Sequence, residues 1–264
     1  MGERRLAVVS GASSGIGRAC AVLLGRRGYR VVLVARGREA LEGAAKDVVA
    51  AGGEAMVEPC DASDGAAVLA MAARVVEAHG APHAVVNAAG LGEWRFIEES
   101  GPEDARRMLG APFFAAYHLT HAFMRPMLAA KRGVFVHVGS PASFAPWPGA
   151  TAYISSRWAL RGLHEALCMD LVGTGLRSSH VVLGKVTSAY FDNNPGSEER
   201  IPGVGRWIPV MSPEQAGAIV ASVVERPRDE VIRPWLLLGF RWAQLVAPWL
   251  VRWLISSTGV RHPM

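Results

Sequence analysis

Leu6-Ala7-Val8-Val9-Ser10-Gly11-Ala12-Ser13-Ser14-Gly15-Ile16-Gly17 is the stretch on which the fold turns. It opens as an uninterrupted apolar run, passes into a glycine-rich turn and leads into a helix-compatible segment over residues 15–27. An apolar run without alternation reads as a strand buried on both faces, the habit of parallel sheets covered by helices. The same unit then repeats. Strands are expected at 30–35, 54–59, 84–87, 134–138 and 177–183, separated by helices at 38–51, 64–78, about 102–131 and 150–172. Such alternation specifies an α/β fold: a doubly wound, mostly parallel sheet with helices on both faces.

Beyond Leu183 the pattern changes. Residues 184–210 are irregular and include Asn193-Asn194-Pro195-Gly196 and Ile201-Pro202-Gly203. A loop this long inside a compact unit reads as a functional lid, here about 188–209. Ser212-Pro213-Glu214-Gln215 then carries a helix-start signature, with Ser212 as cap, Pro213 at the first helical position and Gln215 three residues after the cap. The expected organisation is one nucleotide-binding unit over 1–232 and a Trp- and Arg-rich helical tail over 233–264 that is not a domain of its own.

Composition narrows the function. The 264 residues carry 28 Lys+Arg against 23 Asp+Glu, a formal net charge of +5; 50% are hydrophobic and 19% charged. That excludes a disordered chain, and scattered arginines with no long basic run speak against a nucleic-acid partner. Cys20, Cys60 and Cys168 form no paired spacing, so neither a disulfide framework nor a zinc site is expected. His79/His83 and His118/His121 lack the further ligands that a metal site needs. A strand beginning at Leu6 leaves no room for a signal peptide, and no apolar stretch is long enough to span a bilayer; a cytoplasmic protein is expected. Yet the mean hydropathy is high, at +0.20.

The glycine turn suggests a ligand. A strand, then glycines, then a helix N-terminus offers close backbone approach, free N–H groups and a favourable dipole to a diphosphate. Gly11, Ser13, Ser14, Gly15, Ile16 and Gly17 would form that cradle. At the end of the second strand stands Ala35, where a carboxylate would hold a ribose diol, and Arg36 follows. A missing acid beside a guanidinium favours a 2′-phosphate, hence NADP(H) over NAD(H).

Further residues arrive in a telling order. Gly11-x-x-x-Gly15-x-Gly17 is followed by Asp61, by Asn87-Ala88-Ala89-Gly90, and by Ser140 thirteen residues before Tyr153. Over about residues 5–225 the chain resembles the short-chain dehydrogenase/reductase family, with a Rossmann-type sheet. The resemblance implies hydride transfer between a nicotinamide and a carbonyl/alcohol pair. It implies Tyr153 as general acid/base, Ser140 orienting the substrate oxygen, and Asp61, Asn87, Ala88, Gly90, Val186 and Ser188 around the cofactor. It also implies a homodimer or homotetramer built on the long helices, about 112–131 and 150–172.

Two departures matter. The family has Lys four residues after the tyrosine; this chain has Arg157, which shares a helix face with Tyr153 and supplies a cation but cannot release a proton. The family's catalytic Asn is replaced by Pro112, which loses the amide but leaves the Met108 carbonyl free and so preserves a helix kink. The second reading is therefore a catalytically weak nucleotide-binding sensor or scaffold of the same fold. Aromatic residues in the lid (Tyr190, Phe191, Trp207) with Trp94, Phe144 and Trp147 suit a small hydrophobic substrate. In the tail, Trp235, Trp242, Trp249 and Trp253 are spaced for one side of a helix, with Arg233, Arg241 and Arg252 beside them. Three readings of that helix stay open: a cover over the pocket or a partner subunit, a peripheral membrane contact, and a plain core element.

Overall fold

The computed structural model describes residues 4–262 apart from Ala189 and Asn193; the outermost residues of both expected units and two positions of the expected lid lie outside the described residues. The strands are β1 (Leu6–Ser10), β2 (Arg30–Ala35), β3 (Glu54–Pro59), β4 (Ala84–Asn87), β5 (Gly133–Gly139), β6 (Leu176–Leu183) and β7 (Glu230–Arg233). They form one parallel sheet in the order β3-β2-β1-β4-β5-β6-β7. The order reverses between β1 and β4, which opens a crevice at the carboxyl ends of those strands.

Strand side chains alternate between faces, so a continuous apolar run feeds two cores at once. Ala7, Val9, Val31, Leu33, Val86 and Val136 face one core, with helices α1 (Gly15–Arg26), α2 (Arg38–Ala50) and α7 (Pro213–Glu225). Leu6, Val8, Val32, Val34, Val85 and Phe135 face the other, with α3 (Gly65–His79), α5 (Ala115–Ala130) and α6 (Thr151–Asp170). Between α3 and α5 runs α4 (Pro102–Leu109). The expected box closes α7: the Ser212 hydroxyl accepts from the Gln215 N–H, and the Gln215 side chain accepts from the Ser212 N–H.

Two features differ from the expectation, and a third, the kink expected at Pro112, takes a defined form. β7 was not anticipated, because Glu230-Val231-Ile232-Arg233 is four residues long with a charge at each end. Residues 102–131 are not one regular helix: α4 and α5 are joined by a π-turn, Gly110–Phe114, with Pro112 buried inside it. The Ala115 N–H reaches back five residues to the Gly110 carbonyl, and a proline at 112 has no N–H for the Met108 carbonyl. The tail is two helices, α8 (Leu236–Val246) and α9 (Pro248–Thr258), broken at Ala247-Pro248. Leu237, Val251 and Ile255 pack against Phe144, Val182 and Ile232, so both helices join the main body beside β7.

The second core holds an unusual polar row. His137 on β5, His164 on α6 and His180 on β6 stand in sequence, with ring centroids 6.4 and 5.5 Å apart. His137 Nδ1 lies 3.2 Å from the Asn87 amide nitrogen, and His164 Nδ1 lies 2.9 Å from the Ser178 hydroxyl. A Cβ at Gly139 would sit 2.1 Å from His180 Nε2, so glycine there makes room for the ring. Burial pulls His137 down to about 3 and His164 down to about 4, and it lowers His180 as well, despite Glu230 3.8 Å away. All three are neutral when folded and take up protons near pH 6.5 when unfolded. They therefore cost no stability above about pH 6.5, and stability falls as pH drops from there through the folded values, about 4 for His164 and about 3 for His137. Urea unfolding at pH 5 should show a loss of about 2 kcal/mol for each of His137 and His164 relative to pH 7, with His180 acting in the same direction. A stability flat from pH 7 to 5 would contradict it.

Candidate active site

The turn after β1 is built from absent side chains. At Gly17 a Cβ would lie 2.3 Å from the Gly11 carbonyl oxygen, and at Gly11 (φ +66°) one would lie 2.8 Å from the Ala88 carbonyl. Those two glycines let α1 close onto β1 and β4. Gly15 differs: at φ +52° its missing Cβ would meet only Ser188, 3.6 Å away. The Ser14 side chain makes no capping bond, so it satisfies none of the first-turn N–H groups of α1. An open cradle at a twelve-residue helix's N-terminus fits a diphosphate.

This cradle is one end of a cavity of about 1300 Å³. Gly11, Ser13, Ser14, Gly15, Ile16, Gly17, Arg36, Asp61, Ala88, Gly90, Ser140, Tyr153, Arg157, Val186 and Ser188 all line it. Asn87 does not; its buried side chain turns toward His137. Asp61 accepts hydrogen bonds from the Ser63 N–H (2.9 Å) and hydroxyl (2.7 Å). Burial pushes its carboxyl up, but those bonds and the Arg36 charge together hold it below the usual range.

The far end holds Tyr153 and Arg157, one turn apart on α6. The guanidinium carbon lies 5.0 Å from the Tyr153 ring centre, and Nη1 donates to the Val138 carbonyl at 3.4 Å. A Cβ at Gly90 would come within 3.0 Å of Nη2, so the glycine after β4 makes room for a group broader than an ammonium. Arg157 is buried, its Nε has no partner, and no carboxylate lies within 4 Å among the described residues. A buried cation without a counterion is costly. Burial alone would lower its pKa, yet the Tyr153 and Tyr190 phenols together hold it above the ordinary value.

Tyr190 is the residue whose place here was not foreseen. Its hydroxyl sits where a Cβ of Gly92 would fall, interacts electrostatically with Tyr153 and Arg157, and makes no well-formed hydrogen bond. Burial, and Tyr153 beside it, raise its pKa. The aromatic residue reads from sequence, but the contact joins the lid to α6 and has no local signal. Around Tyr153 the wall is aromatic: Trp94 lies 5.2 Å from it, 5.1 Å from Trp147 and 5.9 Å from Phe191. Trp207 is not part of that wall; it is 74% exposed. Arg241 is not beside the tail tryptophans but points inward, 3.7 Å from Glu230 and over the Phe144 ring. Among the described residues no cluster of metal-ligating side chains occurs.

Comparison with known proteins finds similar chains. The short chain dehydrogenase family matches residues 5–198. An uncharacterized oxidoreductase of Mycobacterium tuberculosis is 33% identical over 230 residues, 85% of this chain; the chain spans 65% of that relative's length. A cyclohexanol dehydrogenase of Acinetobacter sp. is 27% identical, over 84% of this chain and 88% of its own. The crystal structure of a metagenomic short-chain oxidoreductase in complex with NADP superposes with a TM-score of 0.73 at 34% identity, covering 86% of this chain and 95% of its own.

The two kinds of glycine separate experimentally. Gly17→Ala should lower the melting temperature by several degrees, because backbone must move. Gly15→Ala should cost only the roughly 1 kcal/mol of a strained φ while abolishing nicotinamide-nucleotide binding, read by fluorescence titration. Full binding by Gly15→Ala would remove the cradle from the site.

Proposed function

The chain belongs to the short-chain dehydrogenase/reductase family, and from that premise we propose that it is an NADP(H)-dependent oxidoreductase interconverting a carbonyl and an alcohol on a small hydrophobic substrate. The observation that carries the reading is the pairing of Tyr153 with the buried Arg157, which has no counterion among the described residues, on the wall of the cavity that begins at the glycine cradle. The nicotinamide, when bound, supplies or accepts the hydride.

In reduction Tyr153 gives its phenolic proton to the carbonyl oxygen, and in oxidation it takes the proton from the alcohol. Ser140, whose hydroxyl oxygen accepts weakly from the Ala142 N–H (3.3 Å), keeps its own proton to orient the same oxygen. Arg157 compensates the phenolate that proton loss creates and, from the cavity wall, would face ribose hydroxyls with its guanidinium. It holds charge but relays no proton. Arg36, exposed at the end of β2 with no acid at Ala35, would take a 2′-phosphate by forked hydrogen bonds. The aromatic wall excludes water and suits an apolar substrate, as does the likeness to a cyclohexanol dehydrogenase. The exposed Tyr117 on α5 and Trp158 on α6 support assembly of copies through those helices.

The second reading, a catalytically weak nucleotide-binding sensor or scaffold, is favoured by Pro112, which keeps the π-turn without a side-chain amide. Turnover decides between them. With a panel of carbonyls, NADPH oxidation at 340 nm should fall about 10²–10⁴-fold in Tyr153→Phe while nucleotide binding persists. Arg157→Met should lose activity, and Arg157→Lys should retain it. An inactive parent rescued by Pro112→Asn with Arg157→Lys would establish the sensor reading. Arg36→Ala should raise KM for NADPH about ten-fold and leave that for NADH unchanged; an equal effect on both would sink the 2′-phosphate role.

A further inference from the structure

The tail helices turn an apolar side to solvent. On α8 and the residue before it, Trp235, Leu238, Trp242, Leu245 and Val246 are all exposed and recur at helical spacing, as one stripe. The inward side of that helix carries Arg241 and Gln244 as well as Leu237, so polar groups are spent facing the protein while tryptophans face out. On α9, Val251 and Ile255 pack inward, and Trp249, Leu250 and Trp253 are exposed. The four tail tryptophans are between 63% and 71% exposed. Beside α9 packs the turn Gly203–Trp207, with Arg206 and the exposed Trp207. An apolar surface of this kind marks a contact site rather than scatter.

Charge indicates what the contact is. From Val231 to Met264 the sequence has four arginines and no Asp, Glu or Lys. Arg233, Arg252 and Arg261 are exposed, and no carboxylate lies within 4 Å of them among the described residues. A second copy of the chain, related by a two-fold axis, would set this face against itself, arginine toward arginine with no tail acid between. Anionic headgroups complement it: tryptophan rings favour the headgroup boundary, and arginines beside them meet phosphate. No helix among the described residues is long and apolar enough to cross a membrane.

We propose that the outer face of α8 and α9 is a docking surface for an anionic phospholipid bilayer, on which the protein lies without spanning it. Leu237, Phe240 and Ile255 on the inward side of these helices line the cavity, but the outward side chains do not, so the proposal stands apart from the catalytic reading.

The test uses the full chain and vesicle flotation, with phosphatidylcholine alone or with about 30% phosphatidylglycerol, and follows tryptophan emission. Binding to the anionic vesicles should exceed that to neutral ones by about ten-fold or more and bring a blue shift. Arg252→Gln should weaken it about five-fold. Trp242→Gln with Trp249→Gln should abolish it while the melting temperature holds. Raising salt from about 0.05 to about 0.5 M should weaken binding of the unaltered protein, a readout that needs no variant. No binding by the parent, or equal binding to neutral vesicles, would overturn the proposal. So would a tryptophan double variant that still floats, or one whose oligomer dissociates in light scattering, since the face would then be covered by another copy.

Discussion

Everything in the site depends on how closely α1 approaches β1 and β4. That approach is possible because two positions lack a Cβ: Gly17 rests on the Gly11 carbonyl, and Gly11 rests on the backbone at Ala88 and Ala89. With the contact made, the α1 N-terminus points into the crevice where the strand order reverses, and the cavity gains its diphosphate-shaped end. A methyl group at either glycine would have to displace backbone rather than a pliable side chain.

The opposite end of the cavity is governed by electrostatics. A guanidinium is buried with no carboxylate within 4 Å among the described residues, and two phenols and a backbone carbonyl surround it. The space it needs is cleared by Gly90, and Gly139 similarly clears space for His180 in the row behind β5. A planar cation thus stands at the place of the family's lysine, with Gly90 bordering the space it fills. The π-turn around Pro112 is comparable: the local bend is kept by a residue that has no hydrogen-bonding side chain to offer.

Much of this was legible before any coordinates. The strands at Leu6–Ser10, Arg30–Ala35 and Ala84–Asn87 coincide with the expectation because doubly buried strands leave continuous Val-rich runs, and the half-buried edge strand Glu54–Pro59 coincides as well. Of the cavity lining, the glycine turn after β1 and Arg36 were legible from local pattern, and the other expected residues came with the family resemblance. β7 was not legible, because an edge strand of four residues with charged ends has no distinctive period. The roles of Trp207, Arg241 and Tyr190 were not legible either. Each sits in or beside the irregular segment or the tail, where a residue's neighbours come from other elements.

The sequence by itself determined the order of strands and helices as far as β6, the glycine cradle and the tyrosine–arginine pair one turn apart, since all of these rest on local spacing and period. Only the tertiary structure decided which side of each tail helix faces the core, that Asn87 turns to His137, and that the Tyr190 hydroxyl comes to rest between Gly92 and the reaction centre. Those outcomes depend on which distant surfaces compete to bury a side chain, and that competition is settled only when the whole sheet has closed.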